Sequence, residues 1–86
     1  MSVSRRIGKF YVSRSIVDES PEMVMPVMAR CVIVECQLHY IGNRFEYFAV
    51  SPDFDEVPLG MITPEYSVLI EMIDDLPVVT FKRISA

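Results

Sequence analysis

The sequence is poor in the residues that announce chemistry. Its 86 residues hold three glycines, two cysteines, one histidine and no tryptophan. Three glycines spell neither G-x-x-x-x-G-K nor G-x-G-x-x-G, so no phosphate-cradling loop is written here. Two cysteines are too few for a disulfide-built scaffold. One histidine leaves a structural zinc site short of ligands. Eight basic residues against twelve acidic ones give a net charge of −4, opposite to a histone-like nucleic-acid binder. No apolar run approaches the roughly 20 residues a membrane-spanning helix needs, and no secretory leader is evident after Arg5, Arg6 and Lys9. A cytoplasmic protein without metal or cofactor is the expectation.

What is present is apolar side chain, 51% of the chain. That is too much for a disordered tail. The length allows a single domain over residues 1–86, near the size at which one core just suffices. Surplus apolar surface in so small a chain points to a homo-oligomer.

The alternation of apolar and polar residues predicts a mainly β protein, a small antiparallel sheet built round a hairpin over 29–51. Gly42-Asn43 reads as its two-residue turn, because glycine accepts positive φ at the first turn position. That turn pairs Tyr40 with Phe45, His39 with Glu46 and Cys36 with Ala49. Val32, Val34, Cys36, Leu38, Tyr40, Phe45, Tyr47 and Ala49 then share a core face. Ile33, Phe48 and Val50 fall among polar residues on the other. Cys31 and Cys36, five apart on one strand, face opposite ways and stay reduced, Cys36 buried.

Pro52 ends the second strand. Residues 52–64 form a long ordered loop in which Phe54, Val57, Leu59, Met61 and Ile62 seek burial. Residues 64–75 fit two periods. As a strand they continue through an Asp74–Pro77 turn into 78–84, pairing Ile70 with Phe81. As a helix capped by Thr63 with Pro64 in its first turn, they make the fold α+β. Residues 1–27 read as an irregular or extended arm, a strand over Lys9–Val17 followed by a stretch that Pro21 and Pro26 keep extended.

Candidate site residues follow from this layout. Asp53, Phe54, Asp55 and Glu56 form an acidic, aromatic cluster in the long loop. With Phe48 on the mixed hairpin face they suit contact with a partner, a protein or a small ligand. Arg5, Arg6, Lys9 and Arg14, interleaved with Phe10 and Tyr11, suit phosphate contacts and base stacking, against the overall charge. His39 is the one side chain suited to proton transfer near neutral pH, and a pair with Glu46 is the simpler role.

The run Phe45-Glu-Tyr-Phe-Ala-Val-Ser-Pro-Asp-Phe-Asp-Glu-Val-Pro-Leu-Gly, with Pro64-Glu-Tyr66 and Val79-Thr-Phe-Lys, resembles small uncharacterised proteins of tailed-phage genomes. The resemblance implies an accessory protein that acts by binding, for instance on a host factor. A non-catalytic binding or inhibitor module is therefore the leading expectation. A nucleic-acid-binding accessory protein using the basic N-terminus is the alternative, and a small enzyme with His39 as acid-base the second alternative.

Overall fold

The computed structural model describes residues 4–58 and 60–84. Strands make up 53% and helices 18% of it, so the fold is mainly β, a small compact domain of antiparallel sheets. In chain order the elements are β1 (Ser4–Arg5), β2 (Ile7–Ser13), α1 (Arg14–Glu19), α2 (Pro21–Met28), β3 (Val32–His39), β4 (Arg44–Val50), β5 (Val57–Pro58), β6 (Tyr66–Ile73) and β7 (Leu76–Arg83). β4 lies between β2 and β3 in a three-stranded sheet, while β1–β5 and β6–β7 are separate pairs.

Both hairpins form, each in a register two residues from the one the sequence suggests. In the first, His39 pairs with Arg44, Leu38 with Phe45 and Cys36 with Tyr47. Tyr40–Asn43 is thus a four-residue connection, with Gly42 at φ 86° and Asn43 at φ 48°. In the second, Ile70 pairs with Val79 and Ile73 with Leu76. Asp74 and Asp75 (φ 52° and 64°) make a two-residue turn, the type I′ geometry that needs positive φ twice. Pro77 therefore enters β7 rather than the turn. The pair closing a two-residue turn is hydrogen-bonded, so the next one, Met72 with Pro77, is not, and the missing N–H costs no ladder bond.

A shift of two keeps side chains on their faces. A β-bulge between Ile33 and Glu35 does not. It turns Ile33 towards the core, where it packs against the buried cluster, and leaves Val32 and Val34 outward, 65% and 57% exposed. Cys36 is exposed as well, correcting its expected burial. Cys31 lies before the strand and is half-buried.

The N-terminal third is not an extended arm. β2 pairs with β4 along its whole length, and two short helices follow. Pro21 occupies the first position of α2 with Glu22 in the first turn. A missing N–H is harmless there, and the carboxylate favours the helix dipole. Pro26 lies inside α2 and forfeits one helical bond. Burial of Val24 and Val27 against the core offsets that loss.

The core sits between one face of β2–β4–β3 and a second layer of α2, the 51–64 loop and the β6–β7 hairpin. Phe10 lies 5.4 Å from Tyr47 and 5.5 Å from Phe81, ring to ring. The hairpin is hung beside β2: the Lys9 N–H donates to the Pro64 carbonyl at 2.9 Å, and Lys9 and Glu65 make a parallel bridge. The described residues have a radius of gyration of 13.4 Å, above the roughly 12 Å of an even globule of this length, because β6–β7 runs on past the sheet.

Candidate functional site

The first part of the long loop, Ser51–Asp55, is pinned by hydrogen bonds to distant parts of the chain. Ser51 donates its hydroxyl to the Arg30 carbonyl at 2.7 Å, and the Asp53 N–H donates to that hydroxyl at 3.1 Å. Arg6 donates to the Phe54 carbonyl at 2.8 Å. The Asp55 N–H donates to the Tyr66 hydroxyl at 2.9 Å.

Within this frame the acidic cluster is divided. Asp53 takes a two-pronged bond from Arg30 at 2.7 and 2.8 Å, and that bond holds its carboxyl below the usual range against a small desolvation cost. Asp55 pairs with Arg83 at 3.0 Å. Glu56 is exposed. Phe54 corrects the expectation of a contact residue. It is 1% exposed, stacked on Tyr66 at 4.6 Å and edge-on to Phe81 at 4.9 Å. Of the other loop residues expected to be buried, Val57 is, whereas Met61 and Ile62 are 65% and 84% exposed. Leu59 lies outside the described residues. Phe48 is half-buried on β4, between Lys9 and Glu35.

The basic residues do not form one patch. Arg6 holds the loop, Arg14 pairs with Asp18 at 3.4 Å one helical turn on, Lys9 sits mid-β2, and Arg5 is exposed on β1.

A second cluster forms on the outer face of the three-stranded sheet. Glu46 is 8% exposed. One of its oxygens accepts the Tyr11 hydroxyl at 2.6 Å, and the other lies 3.5 Å from His39 Nε2, which is closed off from solvent. Arg44 lies over the Tyr11 ring at 3.8 Å. The contact with His39 is diagonal, because Glu46 pairs directly with Gln37 and Tyr11. The Tyr11 bond is the main cause holding the Glu46 carboxyl below the usual range, partial desolvation opposes it, and His39 adds to it. The same bond, with burial second, raises the Tyr11 hydroxyl. Sequence pattern foresaw the His39–Glu46 pair but not Tyr11, which only the β2–β4 pairing brings across.

This cluster sets a pH dependence. A carboxyl depressed in the folded state stabilises above its unfolded value of about 4.3, and that stability is lost as pH falls through the folded value. Tyr11→Phe should therefore lower stability by about 1 kcal/mol at neutral pH. Urea midpoints of variant and wild type should converge as the solution is acidified below about pH 4.

The thiols are not equivalent. Cys31 Sγ lies 3.5 Å from the Val27 carbonyl, and burial first, then Asp53, raises its pKa. Thiolate is the reactive form, so a thiol reagent should titrate Cys36 quickly in the native protein and Cys31 only slowly. Equal rates at the two positions would contradict this placement.

Among the described residues no three His, Cys, Asp or Glu side chains gather as a metal-holding group, and no helix is long and apolar enough to cross a membrane. No family model, curated protein or solved structure matches the chain. Function must be argued from the surface itself, where apolar side chains are concentrated. Tyr40 is 83% and Ile41 95% exposed at the tip of the first hairpin, and Val32 and Val34 are exposed at the other end of β3.

Proposed function

We propose that the chain is a non-catalytic binding module that holds an extended segment of a protein partner along β3, in an accessory role of the kind the tailed-phage resemblance implies. One observation carries the reading. β3 is an edge strand, bonded to β4 on one side; it presents Val32 and Val34 to solvent, and Tyr40 and Ile41 stand exposed in the connection at its far end. Of the devices that guard such edges, β3 has a bulge near its start and Glu35 beside it, but no lysine or proline, which leaves Gln37–His39 as the open stretch of edge. An added strand would gain main-chain bonds along the edge and side-chain contacts from the apolar residues beside it. Two unpaired thiols accord with a cytoplasmic setting.

Selection from a random peptide library tests the reading. Peptides that bind should be extended and rich in β-branched residues. Their binding should be lost in Val34→Lys, an exposed substitution that leaves the thermal midpoint unchanged. Failure to select any binder, or binders indifferent to that substitution, would count against it.

A further inference from the structure

The end of the β6–β7 hairpin has an unusual surface. Leu69, Met72, Ile73 and Leu76 are between 49% and 66% exposed. The segment from Leu69 to Val78 also carries Glu71, Asp74 and Asp75 with no basic residue. A free two-stranded ribbon is marginally stable in water, so an apolar, acidic ribbon end gains from a complementary seat.

The chain contains a surface of that character. Two adjoining crevices of about 380 Å³ each share Val32, Val50 and Pro52 as an apolar floor. Arg5 and Arg6 border one and Arg30 the other. Asp53 balances Arg30, so Arg5 and Arg6 supply the net positive charge.

A chain cannot seat its own hairpin there. The groove lies at the Ile7 end of β2, because Val50 pairs with both Ile7 and Val32. β6 sets out parallel to β2 at Lys9 and runs the other way. Val68 and Ile70 border a crevice with Val12 and Ser13, which leaves the turn beyond the far end of the sheet. Tip and groove are thus at opposite ends of the molecule.

We propose that the acidic, apolar end of the β6–β7 hairpin docks into the Arg5/Arg6–Val32–Val50–Pro52 groove of a second copy of this chain, head to tail. Unlike surfaces meet in such a contact, so it closes a ring or extends a filament according to the rotation between copies.

Sedimentation velocity at micromolar concentration tests the contact on the full chain. Wild type should sediment well above the 9.9 kDa of one chain and shrink as salt screens the charges. Leu76→Asp removes the tip and Arg5→Glu the groove, and each should give a monomer with an unchanged circular dichroism spectrum. If Leu76→Asp fails to fold, Glu71→Lys replaces it. Mixing the two monomeric variants should yield a dimer, since one keeps a sound groove and the other a sound tip. A monomeric wild type, an assembly indifferent to both substitutions, or a mixture that stays monomeric would each overturn the proposal. Peptide binding at β3, read through Val34→Lys, is scored separately, so either idea can fail alone.

Discussion

Truncating Phe54 to alanine should destabilise the protein by about 3–5 kcal/mol. At roughly 0.05–0.15 kcal/mol per residue the whole domain is held by only about 4–13 kcal/mol, so the change removes a large share of that stability. The size of the effect comes from the setting of the ring. It is 1% exposed and sits between Tyr66 and Phe81 at centroid distances of 4.6 and 4.9 Å. Its removal opens a cavity where the loop, β2 and the second hairpin meet. The loop itself cannot collapse into the space, because Arg6, Arg30 and Tyr66 hold it on either side of Phe54. Chemical denaturation checks this directly. An unchanged midpoint would return Phe54 to the surface as a partner contact.

Gly8→Ala is expected to cost about 1–3 kcal/mol by overpacking. A Cβ at this position would stand 2.7 Å from the Tyr66 ring and 3.1 Å from the Phe54 ring. Both rings are buried and stacked on each other, so neither can swing away. The cost is steric, since Gly8 lies in strand β2 paired with Ala49, where alanine is conformationally at ease. That distinction is testable in a double-mutant cycle. Gly8→Ala combined with Tyr66→Ala should cost less than the two single changes added together, because removal of the ring makes room for the methyl group. Additive costs would place the strain in the backbone instead.

The two hairpins show what an alternating pattern specifies. Period two assigns each residue to a face but is blind to a slip of two, which preserves every assignment. Only the turn settles such a slip, and both turns offered two solutions. Gly42-Asn43 is a good two-residue turn in isolation, yet Tyr40 and Ile41 join it in a longer connection whose Asn43 carbonyl accepts the Arg14 N–H at 3.1 Å. Asp74-Asp75 carries no glycine, yet aspartate tolerates the left-handed region better than most residues, and the tight turn lets Ile70 and Val79 pack together against the core. The helices at 14–28 were hidden for a related reason. Pro21 and Pro26 speak against a helix when every position is weighed alike, whereas a proline in the first turn is harmless.

Local chemistry alone determined the β class, the hairpin at 29–51 and two reduced thiols, because side-chain alternation and turn residues act over a few positions; it left 64–75 open between strand and helix and ran the strand at Lys9–Val17 into what is α1. The tertiary structure alone decided the registers, the bulge at Ile33–Glu35 and the joining of Tyr11 to Glu46 and His39 across β2, β4 and β3. It also decided the fate of Phe54, whose acidic neighbours suggest a surface loop. Asp53 and Asp55 turn outward to Arg30 and Arg83, and the ring between them turns inward to Tyr66. The chain turns here, with the Phe54 N–H donating to the Ser51 carbonyl at 3.1 Å, so successive side chains leave in different directions and two surface carboxylates can flank a core aromatic. Which of the three enters the core depends on partners 11 to 28 residues away in the chain, beyond the reach of any local pattern.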